Sequence, residues 1–411
     1  MNALNSPATP TAGISLVGEV EGRIPLYTEE FAADPHAAYR AMRRRWGALA
    51  PVWLAPEVQA TLVLDLYRAR EILNDEVQFP ADPRLWQRHV PPGCPLLPMM
   101  EWRPNALRSV GATRQRYRRA TNDALDGVDI NTISRMVERL ADPLIDAVAA
   151  TGTADVLTDY ALPLTFAVLN TLLGCPAETG RQVARASALM FESTDTAAVN
   201  QMLDDALIGV VRLKQARPAD DIATRLVEHD TRLDDIELIN ALVTCYAAGI
   251  EPLTNLITNT LAMMLTHDSR SGAAGFALTT RDAVRHTLST DPPLANFCIT
   301  YPVAPKWIAG CEVPAHEPLV VSMAACSTDP ALSTGTWVTG DWGLGFGTGI
   351  HRCPDTAQKI AVMVATDAID YLLDKLPEIT IPDPAALQWR LGPFHRALQR
   401  LPVTFPPVRH R

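Results

Sequence analysis

From Val110 to about Leu265 the chain reads as helix after helix, with no strand–helix–strand alternation. That feature constrains the fold most, because parallel sheets need crossover units. The longest apolar helix is expected from Asp234 to about Leu265. Its Leu238, Leu242, Cys245, Tyr246 and Gly249 fall on one face at helical spacing. Asp126–Gly127, Pro176 and the polar stretch 215–221 punctuate the run. Ahead of it the pattern predicts a helix over Pro35–Trp46, strands over Leu49–Leu54 and Gln59–Leu64, and a helix over Leu66–Asn74. After His286, short Pro-rich strands are expected at Cys298–Val303, Ile308–Val313 and Pro318–Met323. A last amphipathic helix follows over Thr356–Leu376, with Ala357, Ile360, Ala361, Val364, Ala368 and Leu372 on one stripe. The expected class is mainly α with a minor β part.

A chain of 411 residues exceeds the usual single core, so two domains or one large composite domain would fit. The β-rich parts fall at about 47–64 and 296–323, and residues 1–25 read as a poorly ordered extension. No apolar run reaches the roughly 18 residues a membrane-spanning helix needs, and the N-terminus has no basic stretch leading into an apolar one. A net charge of -10 argues against nucleic acid or anionic lipid as the main partner. The seven cysteines are scattered and form no CxxC pair. This disfavours a disulfide framework or a structural zinc site and suits a reducing cytosol. The expectation is a cytoplasmic monomer.

One cysteine stands apart. In Gly343-Leu-Gly-Phe346-Gly347-Thr-Gly349-Ile-His351-Arg352-Cys353-Pro354, Gly347 and Gly349 can adopt positive φ and turn the backbone tightly beside the sulfur. Cys353 and Pro354 open the last long helix, where the dipole favours a thiolate. His351 and Arg352 add positive charge for an anionic group. A zinc site would need further ligands at spacing, and a dinucleotide fingerprint fails at Ile350.

Phe346-Gly347-x-Gly349-x-His351-x-Cys353 resembles the haem-binding signature of the cytochrome P450 superfamily, soluble bacterial type. The order of elements agrees with that family over nearly the whole chain. The resemblance implies a triangular α-rich prism with a long central helix over the haem, formed by residues 26–411 as a single domain. It implies haem b (iron protoporphyrin IX) as cofactor, with Cys353 as the axial ligand of the iron. His351 would bind a propionate and Phe346 would shield the sulfur. Arg114 and Arg118 match the family's propionate-binding helix, Arg114 standing where a histidine is usual. Arg116 and Arg119 lie on the same basic helix, where a negatively charged ferredoxin-type electron donor would dock.

The long helix contains Ala247-Ala248-Gly249-Ile250-Glu251-Pro252-Leu253-Thr254, similar to the family's oxygen-activating stretch. Glu251 supplies the acid, and Ala248 with Gly249 would leave space beside the iron. Pro252 occupies the place of the usual threonine and should kink the helix. The family's Glu-x-x-Arg pair is missing. His286 and Ser289 stand there and could form a neutral hydrogen bond, and Thr300 takes the place of an arginine that commonly meets a propionate.

The absent alcohol favours oxidative cross-linking of aromatic side chains in a short peptide, as in similar phenol-coupling members of the superfamily. The alternative is hydroxylation of a lipophilic small molecule, and a second alternative is a non-catalytic haem-binding relative. The loop 79–109 carries seven prolines and is too long for a plain connector. It would roof the substrate, with Trp86, Arg84, His89, Met99 and Met100 as contacts, joined by Arg88 and Arg103.

Overall fold

The computed structural model describes residues 14–18, 20–90, 93–192, 196–270, 279–330 and 343–408. Helices dominate, and their ends follow local capping chemistry. Helix Pro35–Trp46 starts where the Asp34 carboxylate accepts from the Ala37 amide at 2.8 Å, with proline in the first turn. Helix Leu66–Asn74 starts the same way, Asp65 accepting from Arg68 N–H at 2.8 Å. The long helix Asp235–Arg270 opens on a reciprocal cap. Asp234 Oδ1 accepts from the Glu237 amide and Glu237 Oε2 from the Asp234 amide, both at 2.9 Å. It remains helical through Pro252.

This helix is the axis of the core. Leu253, Leu256, Ile257 and Leu261 are buried together with Leu164 and Val168 and with Ile360, Val364, Ala368 and Leu372 of helix Asp355–Lys375. The stretches Val156–Leu173 and Asp235–Thr266 are long and apolar enough to cross a membrane by length and composition, which the expectation from the sequence did not allow for. Both contribute to these helix–helix cores.

The two β-rich parts meet in one five-stranded sheet of order Ile24–Pro25, Leu49–Ala55, Val58–Val63, Leu319–Ser322, Asn296–Thr300. Thr61 pairs Leu319 in parallel, and Thr300 pairs the same residue antiparallel from the other side. The strand expected over Ile308–Val313 is instead a hairpin of Lys306–Ile308 and Cys311–Val313, turned at Ala309 (φ 49°) and Gly310 (φ 81°). Residues 14–25 also depart from expectation. Ile14–Ser15 pairs with Cys311–Val313 and Ile24–Pro25 with Leu49–Ala55, so this segment adds to two sheets. Residues 1–13 lie outside the described residues.

The missing Glu-x-x-Arg pair is not replaced by His286 and Ser289. His286 is exposed, and the Ser289 hydroxyl donates to the His286 carbonyl at 3.0 Å, a bond within the helix. An ion cluster at the next turn ties the same region instead. Asp291 accepts from Arg396 Nε at 3.0 Å and faces His36 at 3.4 Å. Burial pushes the Asp291 carboxyl up, but His36 and Arg396 outweigh it and hold the group below the usual carboxylate range. A depressed pKa stabilises the fold above the unfolded value and is lost as pH falls through the folded one. Asp291→Asn is therefore expected to cost about 1–3 kcal/mol at neutral pH. Thermal melts should show the gap from wild type closing at acid pH; a gap independent of pH would contradict this.

Candidate functional site

The cysteine loop is shaped by two glycines in the left-handed region, Gly347 (φ 72°) and Gly349 (φ 71°). A Cβ on Gly349 would lie 2.2 Å from the Leu73 carbonyl oxygen, so the loop lies directly against the end of helix Leu66–Asn74. The Cys353 amide donates to the Phe346 carbonyl at 3.0 Å, and Gln358 Nε2 donates to the Cys353 carbonyl at 2.7 Å. Helix Asp355–Lys375 begins directly after Pro354, placing Cys353 at its N-terminus as expected. Phe346 is half-buried against the helical core. Burial pushes the Cys353 thiol up to about 11, with Arg118 and Arg352 pulling in the opposite direction.

The structure brings Arg114, Arg118 and His351 together, as the sequence predicts. Arg114 Nη1 donates to the Ile350 carbonyl at 3.1 Å and Arg118 donates to the Arg352 carbonyl. His351 Nε2 is buried without a hydrogen-bond partner among the described residues. Burial, then the fields of Arg114, Arg118 and Arg108, lowers the His351 pKa to about 4.

Arg108 belongs to this cluster and was not among the candidates. It is 3% exposed, donates to the Met99 carbonyl at 2.6 Å and lies over the Phe297 ring at 5.7 Å. Thr300, on the same strand as Phe297, is buried, and its hydroxyl has no partner among the described residues. Arg108 thus brings a guanidinium to the strand Asn296–Thr300, in which Thr300 replaces the arginine. Glu76 is a carboxylate contact here, 3.4 Å from Arg114 Nε. Arg108 and Arg114 are buried cations, which are expensive unless neutralised, so this concentration of positive charge suits an anionic ligand. Two haem propionates beside a cysteine sulfur meet both requirements. Cys353 would hold the iron, and Arg108, Arg114, Arg118 and His351 would hold the carboxylates.

Other expected contacts fall elsewhere. Gly249 does not leave space on the open side of the long helix: a Cβ there would meet Leu169 of helix Leu162–Leu173 at 2.8 Å. Ala247 and Ala248 are the exposed positions. Trp86 is 7% exposed and packs on Tyr301 at 5.9 Å, and Met100 is wholly buried. Both belong to the core over the five-stranded sheet, with Met99 half-buried against it. Arg84 is exposed and paired with Asp82, and Arg88 and His89 are exposed. Arg103 bonds Glu101 and Asn200. These geometries do not gather them into one roof. Arg116 binds Glu237 at 2.6 Å and two loop carbonyls, which takes it from the docking face. Arg119 remains exposed, paired with Asp230 at 2.7 Å.

Glu251 accepts from Asn255 Nδ2 at 2.9 Å and from the Arg390 guanidinium. Thr254 is buried and its hydroxyl lacks a partner among the described residues, so it does not bond Glu251 in place of the missing alcohol.

A mainly helical shell, a half-buried cysteine at a helix start and an internal cationic cradle define a haem-thiolate oxidoreductase. No family model matches the chain. It is similar to cytochrome P450 monooxygenase PikC of Streptomyces venezuelae, 27% identical over 91% of this chain and 92% of that one. It is equally similar to the vitamin D(3) 25-hydroxylase of Pseudonocardia autotrophica, 27% identical over 93% and 96% of the two chains. The structure of CYP154A1 from Streptomyces coelicolor A3(2) superposes with a TM-score of 0.77 at 25% identity, covering 93% of this chain and 100% of that one. The likeness to cytochrome P450s runs over nearly the whole chain, and haem is the cofactor of that family.

Proposed function

We propose that this enzyme inserts oxygen into a lipophilic small molecule of bacterial secondary metabolism, taking two electrons from a ferredoxin-type donor in the cytoplasm and acting as a monomer. The observation that carries the proposal is the retained acid, Glu251, anchored on the long helix next to the exposed Ala247 and Ala248. Bound in the cradle, the haem supplies dioxygen activation, to which the thiolate contributes electron density. The protein's own part is to hold the propionates, keep the thiolate ligand at the helix start and place a carboxylate for proton transfer. Relatives named as a monooxygenase and a hydroxylase support insertion.

One observation favours a second reading. Pro252 stands where the alcohol would be, and removing electrons from a phenol requires no oxygen insertion. Cross-linking of aromatic side chains in a short peptide therefore remains the competing reaction. The reduced system is to be incubated with lipophilic small molecules and with aromatic peptides, and the products weighed. A product heavier by one oxygen is expected. A peptide product lighter by two hydrogens would replace the first reading by the second.

A further inference from the structure

We infer that Arg390 is a positioning residue for the Glu251 carboxylate, and that the C-terminal hairpin carrying it tunes proton transfer there. The inference rests on Glu251 being the acid of the oxygen chemistry.

The geometry is specific. Trp389 and Leu398 form an antiparallel bridge, and the Arg390 amide donates to the Ala397 carbonyl at 2.8 Å. The returning arm is tied down at three places. Arg396 N–H donates to Pro293 O at 2.9 Å, and Asn296 N–H donates to Phe394 O at 3.1 Å. Asn259 Nδ2, on the long helix, donates to Arg396 O at 2.7 Å. Arg390 is thus presented from a fixed backbone and not from a loose tail.

Its guanidinium donates to Glu251 Oε1, the same oxygen that receives Asn255 Nδ2. Both of these bonds fall on Oε1, which fixes the orientation in which the carboxylate would exchange a proton with water. Glu251 and Arg390 side chains are 18% and 33% exposed, so the pair is partly screened yet accessible to solvent. The other end of the hairpin reaches the haem cradle. Phe394 packs edge-on against Phe297 at 5.7 Å, and Phe297 lies beneath Arg108. One short hairpin therefore touches the acid directly and the cationic cradle through Phe297. Sequence spacing gives no hint of this, since 139 positions separate Arg390 from Glu251.

The test uses haem-loaded protein with its reductant and a turned-over substrate. It measures the fraction of electrons ending in hydrogen peroxide and the solvent isotope effect. Thermal unfolding of the two single variants and the double variant gives a readout independent of turnover. R390Q and E251Q should each raise the peroxide fraction several-fold and enlarge the isotope effect, without changing substrate affinity. The double variant should add little beyond E251Q, the unfolding effects should be non-additive, and R390K should restore most of the coupling. If E251Q uncouples and R390Q does not, Arg390 has no positioning role. If E251Q itself leaves the peroxide fraction unchanged, the assignment of the acid fails first and the inference falls with it. Should R390Q fold poorly, R390K decides: peroxide release equal to that of E251Q, with normal folding, would overturn the claim that charge at this position suffices.

Discussion

Cys353→Ala is expected to fold, to lose the thiolate-type absorption of the haem and to show turnover at background. The loop does not depend on the sulfur for its shape. Its backbone is fixed by the Cys353 amide bond to Phe346, by Gln358 on the Cys353 carbonyl and by the positive φ of Gly347 and Gly349. Removing the sulfur of a half-buried residue from such a loop should cost about 1 kcal/mol or less of stability. What is lost is the ligand whose donation distinguishes this class of haem protein. The cationic cradle of Arg108, Arg114, Arg118 and His351 stays in place, so some haem should still bind through its carboxylates. Absorption spectra and haem content, measured on the same sample, separate loss of ligation from loss of the cofactor. An unchanged spectrum with full turnover would refute the assignment.

The second large effect is expected at Gly349. Its φ of 71° alone costs an alanine about 1–2 kcal/mol. The added Cβ would also lie 2.2 Å from the Leu73 carbonyl oxygen, a backbone atom that cannot swing aside. Gly349→Ala should therefore displace the loop from helix Leu66–Asn74, lower the melting temperature by several degrees and reduce haem content several-fold. Gly347 is the internal comparison. It has a similar φ, but its Cβ would meet the Cys298 sulfur at 3.2 Å, a contact that can relax by a few tenths of an ångström. Gly347→Ala should be clearly the milder variant. Equal haem retention in both would contradict the packing argument.

Much of this was legible because its causes are local. The ends of Pro35–Trp46 and Leu66–Asn74 follow from an aspartate cap, and the sharp turns at 347 and 349 from glycine. The cysteine at a helix start follows from spacing alone. Arg114 and Arg118 face the loop because they lie one turn apart on helix Gly111–Asp126. What escaped the sequence depends on distant partners. Arg108 looked like one more polar residue of a Pro-rich loop, whereas the fold buries it with no carboxylate partner among the described residues. Trp86 and Met100 suggested a ligand roof by their size, yet the five-stranded sheet beneath them takes that apolar surface for its own core. Gly249 sits in a stretch associated with oxygen access, but the neighbouring Leu169 occupies the space that its missing side chain frees. The pairing of Arg390 with Glu251 follows only from where the C-terminal hairpin returns to the long helix.

The central claim is that the Cys353 sulfur, as a thiolate, is the ligand of the haem iron. Adding carbon monoxide to the reduced wild-type protein tests it most directly. The account predicts an absorption band at the red-shifted position given by a thiolate ligand, absent from Cys353→Ala. A haem-loaded protein whose carbon monoxide band lies at the position given by a nitrogen ligand, unaltered by Cys353→Ala, would contradict it.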